Sequence, residues 1–245
     1  MIGRRSFVGL LSGAALAGCQ TTAGSSGLSV ATAVLEGGGS QPLTDFEIGN
    51  GLKEALRVGT QRVIGQVGAR DGYNADPLIH IPLPEDLRKV HKVLDKIGLA
   101  GLTADLELKL NRTAESAAPE AKDVFWNAIS EMTLDDVRGV WQGPDDGATR
   151  YFRRKMTSPL IDRFTPIVQE SMSEVGVVQL YEIVISQYES VPFVPEVKGD
   201  LTRYTVKKGL SGIFTYVAKE EAAIRNDPAK RSTELLQKVF GALTS

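Results

Sequence analysis

The chain has 245 residues, with 28 lysines and arginines against 30 aspartates and glutamates, and a single cysteine. A formal charge of −2 leaves no basic surplus for a polyanion, so no nucleic-acid partner is expected. One cysteine cannot close an internal disulfide, so stability has to come from a packed core, and about 200 residues are enough to build one.

The N-terminus reads Gly3-Arg4-Arg5-Ser6-Phe7-Val8, then an apolar run, then Leu16-Ala17-Gly18-Cys19. A positive start, a short apolar stretch and small residues before a cysteine resemble a bacterial lipoprotein signal with a twin-arginine front end. The run is shorter than the about 20 apolar residues a spanning helix needs. The expectation is a signal peptide over residues 1–18 and a lipidated Cys19 as the membrane anchor. Arg4 and Arg5 would leave with the signal and no acid would, so 28 bases become 26 against 30 acids and the charge moves from −2 to −4. Gln20, where inner-membrane lipoproteins often carry Asp, resembles an outer-membrane-directed anchor. The expected location is therefore the cell envelope, with the chain lipid-anchored at the outer membrane and facing the periplasm.

Residues 20–41 are small, polar and rich in Gly and Ser, the composition of a flexible tether. Such a tether holds the domain beyond it roughly 25 Å from the anchor. The organisation expected is a signal peptide over 1–18, an anchor and linker over 19–42, and one helical domain over 43–243.

Thr44-Asp45-Phe46-Glu47 is a capping box that opens a helix with Leu52, Ala55, Leu56, Val63, Ile64 and Val67 on one face. Asp71-Gly72 is its expected stop. Residues 72–84 carry three prolines and predict an extended loop with room for a short strand at Leu78–Ile81. Glu85-Asp86 suits the positive end of the next helix, which carries Leu87, Val90, Val93, Leu94 and Ile97 and ends at Gly98. A helix over 102–117 has Leu106, Leu110 and Ala114 in phase, and Pro119 opens another with Phe125 and Ile129. Thr133 starts a helix over 134–142, and Gly143-Pro144 breaks it. Asp145-Asp146 predicts a restart over 145–156 by N-capping, and Ser158-Pro159 a separate helix opening there. A helix over 175–188, a rigid extended link at Val191–Pro195, a long helix capped by Asp200 and a last one capped by Asp227-Pro228 complete the chain. The fold expected is all-α, a single globular domain of about eight to nine helices.

Several motifs then add up. They are Gly51-Leu-Lys-Glu-Ala-Leu56, Ile81-Pro-Leu-Pro84, Leu110-Asn-Arg112 with Ala114-Glu115, and Asp145-Asp146 with Ala148-Thr149 and Tyr151-Phe152. Asp200-Leu201 with Tyr204, Gly212 with Phe214, and Glu220-Glu221 through Ile224-Arg225, Pro228, Arg231 and Val239-Phe240-Gly241 complete the set. Together, over residues of about 43–241, they resemble the DUF4197 family of exported bacterial proteins. The resemblance implies the domain's extent and compartment, and it brings no activity and no catalytic residue with it.

The residues themselves offer three candidate sites. Asn111, Arg112 and Glu115 lie within about one helical turn, either as a polar pocket wall or as an ion pair beside an asparagine that bonds a loop. Glu221, Arg225 and Arg231, with Glu220 and Asp227, surround a helix–helix corner, either as a binding site or as a network pinning the last helix. Trp126, Trp141, Tyr151 and Phe152 fall in the aromatic-rich middle third, as core or as an apolar cleft for a ligand. Arg150, Arg153, Arg154 and Lys155 form a local basic cluster. His80 and His91 are the only histidines, without a His-Glu-x-x-His helix, a Gly-x-Ser-x-Gly elbow or a phosphate loop. No catalytic residue, metal or cofactor is therefore expected. The function expected is an anchored helical module that binds an envelope protein. The alternatives are a carrier of a small apolar or lipidic ligand between helices, and an enzyme built on the Asn111–Glu115 and Glu221–Arg231 groups.

Overall fold

The structure, a computed structural model, describes residues 44–197 and 199–241. The signal, Cys19 and the tether lie outside the described residues. Those described form nine α-helices and two short 3-10 turns, with no strand. The helices are α1 (Asp45–Val67), α2 (Glu85–Lys96), α3 (Ala100–Ala117), α4 (Ala121–Ser130), α5 (Leu134–Trp141), α6 (Gly147–Glu174), α7 (Val177–Glu189), α8 (Leu201–Asn226) and α9 (Glu234–Gly241). The domain is all-α, as the periodicities predict.

Two helices organise the rest. α8 packs along both α6 and α1, and α1 also meets α4, α5 and α9. α3 bridges α2, α6, α7 and α8. Leu52, Val67, Leu106, Leu110, Phe125, Phe152, Leu160 and Ile213 are among the side chains sealed in the one core. Each contributes roughly 1.5–3 kcal/mol by leaving water. An exposed ion pair contributes about 0–1 kcal/mol, so the core and not the charged surface sets the stability.

The two Thr boxes form. Thr44 Oγ1 accepts the Glu47 N–H at 3.2 Å while Glu47 Oε2 takes the Thr44 N–H at 3.0 Å. Thr133 and Asp136 repeat the arrangement at the head of α5. Glu47 does a second task, since its other oxygen accepts from Lys238 of α9 at 2.5 Å. The same end of α1 receives α9 closely at Gly51, where a Cβ would stand 2.4 Å from Val239 Cγ2.

Five details differ from expectation, each for a local reason. α1 ends at Val67, four residues before Asp71, because turns bonded to the Ile64 and Gln66 carbonyls begin at Gly68. No strand forms at Leu78–Ile81: the Ile79 and His80 N–H groups turn back to the Asp76 carbonyl, and α3 side chains take the backbone beyond. The predicted break at Ser158-Pro159 is absent, and α6 runs unbroken through Pro159 and Pro166. A proline inside a helix costs about 3 kcal/mol. Phe152, Met156, Leu160, Phe164 and Val168 form one buried stripe at four-residue spacing, and their burial at roughly 1.5–3 kcal/mol each outweighs both prolines. Both prolines face solvent, where water can serve the carbonyls they leave without a donor.

The link at Val191–Pro195 is a turn instead of an extended rod, with Phe193 at φ 65° and fully exposed. Asp227-Pro228 opens a 3-10 turn over Pro228–Lys230, and α9 starts only after Thr233, whose hydroxyl accepts the Leu236 N–H at 3.2 Å.

The Lys238 ammonium and the two Thr44 donors hold the Glu47 carboxyl down at about 2, from an ordinary 4.5. A carboxyl depressed on folding stabilises above its unfolded value and loses that effect as pH falls. The stability difference between the natural chain and Glu47→Gln should therefore be full above pH 4.5 and vanish as pH falls through about 2, read from urea midpoints across that range.

Candidate functional site

α3 places Glu107, Asn111 and Glu115 four residues apart, so they stack along one face of the helix. That face meets the proline-rich segment 71–84, here the strap, whose turns satisfy only part of its own backbone. Each residue takes part of it. Glu115 Oε1 accepts the Tyr73 N–H at 3.1 Å and the Asn74 N–H at 3.0 Å. Asn111 reads Ile81 on both sides, accepting its N–H at 2.8 Å and donating to its carbonyl at 2.8 Å. Glu107 accepts from the Leu83 N–H at 2.9 Å and holds His80 Nε2 at 2.9 Å.

Arg112 closes the far end of the strap, donating to Glu115 at 2.6 Å and to Asp71 at 2.7 Å. The Asn74 amide, with Arg112 beside it, holds the Asp71 carboxyl below the usual aspartate range. α8 receives the other side of the strap. The Tyr73 hydroxyl donates to the Gly209 carbonyl at 2.7 Å, and that of Tyr204 to the Pro82 carbonyl at 2.7 Å. Burial pushes the Tyr73 phenol well above its ordinary range, so it stays a donor. Gly212 makes room for that ring, since a Cβ there would lie 2.6 Å from Tyr73 Cε1.

The second cluster sits where α5 turns into α6. The Asp146 side chain does not cap α6, contrary to the N-capping expectation; it pairs with Arg150 at 2.8 Å instead. The cap comes from α8. Glu221 accepts the Ala148 N–H at 2.8 Å, the Thr149 N–H at 3.0 Å and the Thr149 hydroxyl at 3.0 Å. Its neighbour one turn on, Arg225, donates to the Val140 carbonyl at 2.7 Å and the Trp141 carbonyl at 3.2 Å, the last carbonyls of α5. The two side chains pair at 3.1 Å and are each only 6% exposed. Burial pushes the Glu221 carboxyl up, opposed by the two α6 N–H groups and by Arg225. Arg231 then donates to the Ile224 carbonyl at 3.1 Å and the Arg225 carbonyl at 2.8 Å, closing the end of α8.

The four aromatic candidates do not surround one opening. Phe152 lies in the core against Phe125, with ring centroids 5.7 Å apart. Tyr151 lines a groove of about 380 Å³ between α4, the head of α5 and α6, and its hydroxyl donates to Asp136 at 3.3 Å. Trp126 and Trp141 are half-buried and not part of that groove; the Lys122 ammonium covers the Trp126 ring at 4.3 Å. The basic cluster is dispersed along α6, with Arg150 paired and Arg153 over the Phe214 ring at 4.9 Å. Among the described residues no group of three or more His, Cys, Asp or Glu is placed to hold a metal ion.

Asn111, Arg112 and Glu115 thus belong to one clamp, and Glu221, Arg225 and Arg231 to another. Glu107 is the member that sequence reading missed, and its signal was the i−4 spacing from Asn111 on a helix that the apolar periodicity marks. Chemically, both clusters hold backbone. Arg112 and Glu115 also line a hollow of about 520 Å³ with Asp105, Lys109 and Val175, so the first clamp keeps an open side.

Both clamps are testable by stability. Asn111→Ala leaves the Ile81 N–H and carbonyl buried and unpaired and should cost about 1–3 kcal/mol. Glu221→Ala leaves Arg225 buried without its partner and should cost more, about 3–5 kcal/mol. Equal, small losses in urea unfolding would show that the clamps are slack.

No curated protein and no solved structure matches the chain. One family matches over residues 42–241, described as "Protein of unknown function (DUF4197)", and its span takes in both clamps and all nine described helices. The chain belongs to the DUF4197 family.

Proposed function

We propose that this chain is a lipid-anchored helical module, facing the periplasm, that binds another protein of the cell envelope. In this reading residues 1–18 are an export signal and Cys19 carries the lipid. Two lines of reasoning support it. The leader has the order of a lipoprotein signal: Arg4-Arg5, an apolar run, and Leu16-Ala17-Gly18-Cys19. The observation that carries the reading is the state of the polar clusters. Asn111 and Glu115 are committed to the strap, and Glu221, Arg225 and Arg231 to helix ends, all as buried groups. With those groups taken by the backbone, the described surface supports recognition better than it supports chemistry.

The test is crosslinking in living cells with the tagged full chain, stringent purification and mass spectrometry. The expected result is one envelope protein recovered in near-equal amount, and its loss from membranes in Cys19→Ser, with that variant itself leaving the membrane fraction. Absence of any reproducible partner would overturn the binding role. A Cys19→Ser chain that stays on membranes would overturn the anchor.

A further inference from the structure

We infer that the outer face of the α6–α8 pair seats the domain on an anionic phospholipid surface. The inference rests on the membrane-anchor reading above and adds the face that turns to the lipid and the chemistry that holds it there.

On α6 alone the basic cluster is dispersed, and α8 completes it. From Gly147 to Ile161 α6 carries four cations and no acid, and from Leu201 to Lys219 α8 carries four cations and no acid. In a chain whose formal charge is −2, these two acid-free stretches lie against each other. The helices run antiparallel. Glu221 accepts the Ala148 N–H at one end, and the Thr202 hydroxyl donates to Met172 Sδ at 3.7 Å at the other. Between those ends Arg153 covers the Phe214 ring at 4.9 Å, on the seam.

That contact places both sets of side chains on one face. Thr157 and Ile161 follow Arg153 at four-residue spacing, and Ser211 and Lys207 share the Phe214 side of α8, so all lie along the seam. Arg154 and Lys208 stand next round each helix, toward solvent. Arg153, Arg154, Lys207 and Lys208 are all exposed. Lys207 is two turns from Phe214, about 10 Å of helix, so along the axis the two basic pairs stand within about one Debye length and act together.

The surplus survives a count of the nearby acids. Asp146 is spent on Arg150 and Asp200 on Arg203, each at 2.8 Å, and Glu220 on Arg62 at 2.7 Å. Lys155 turns to Asp136 in the α4–α6 groove and Lys219 to Asp76 in the strap, so neither belongs to the face. At the Tyr204 ring that Lys208 covers, Arg88 offsets Glu107. Arg153, Arg154, Lys207 and Lys208 form no ion pair with a described residue. Asp162 is the first acid beyond the stretch on α6, and it is one carboxylate against four cations.

The occupant follows from that charge and from the anchor. The field of an anionic leaflet is diffuse and needs no fitted cavity, and each lysine or arginine brought to it favours contact about fivefold. Four such cations hold a free protein only weakly. The anchor keeps the leaflet within reach, so the face has only to orient a chain that is already there.

The experiment places the full chain, extracted from its membranes in detergent, on vesicles of phosphatidylcholine with or without phosphatidylglycerol. A fluorophore is carried at Ser211→Cys, on the face, or in parallel at Gln61→Cys, exposed on α1, and a lipid-borne quencher reports contact. The Ser211 label should be quenched on the anionic vesicles only, the Gln61 label on neither, and high salt should abolish the effect. In the double variant Arg154→Gln, Lys207→Gln the quenched population should fall at least about tenfold, with a circular dichroism melt like that of the natural chain. Quenching that is equal on both vesicles, equal at both positions or unchanged in the variant would overturn the face. So would a bright Ser211 label on a chain that floats with the vesicles, and a protein crosslinked from Ser211 in cells would then name the true occupant. Those outcomes leave the anchor standing. A natural chain that floats with neither vesicle would bring down anchor and face together.

Discussion

The buried pair of Glu221 and Arg225 is the constraint on which the rest of the domain depends. The chain must reverse between α5 and α6, and the corner exposes four N–H groups of one helix and four carbonyls of the other. One turn of α8 meets both sets. Glu221 places negative charge on the α6 N-terminus, and Arg225 places positive charge on the α5 C-terminus. Each charge sits at the helix end whose dipole attracts it. A buried ion pair alone is a weak source of stability, because desolvation offsets the attraction. Here the pair also satisfies backbone groups that the corner would otherwise bury unpaired, and that second task justifies its place in the core.

The same logic runs at the other side of α8. The strap has three prolines and no ladder partner, so the N–H groups that its own turns do not take need acceptors from elsewhere. α3 supplies them in a row, Glu107, Asn111 and Glu115, while tyrosines of the strap and of α8 tie the two together. α8 is thus the common element. It packs on α1 and α6 through apolar side chains and holds two irregular stretches through polar ones. The polar groups are specific about geometry, and the apolar ones contribute most of the energy.

Such an arrangement leaves function to the outside. Residues that look reactive in the sequence, an arginine–glutamate pair or a buried carboxylate, are the ones most occupied in the fold. The groove beside Tyr151 was not legible in the sequence as a groove, because its walls come from separate helices. It arises where α4, α5 and α6 converge, and Tyr151 is its one lining residue among the four aromatics that the sequence singles out.

Local physics made much of the fold legible. The capping boxes at Thr44 and Thr133 and the cap at Asp200 involve residues within one helical turn, so the chain alone determined them. The all-helical class came from apolar spacing, and the family from motifs along nearly the whole domain. The pairing of Arg112 with Glu115 was readable for the same reason of short separation. What only tertiary structure decided depends on partners far along the chain. Pro159 reads locally as a helix start, yet the buried stripe from Phe152 to Val168 carries α6 through it. Asp146 reads as a cap, yet Glu221, 72 residues from Thr149, takes that place. An ordinary propensity weighs under about 1 kcal/mol and a helical proline about 3, whereas each buried side chain of the stripe contributes roughly 1.5–3, so the five together prevail.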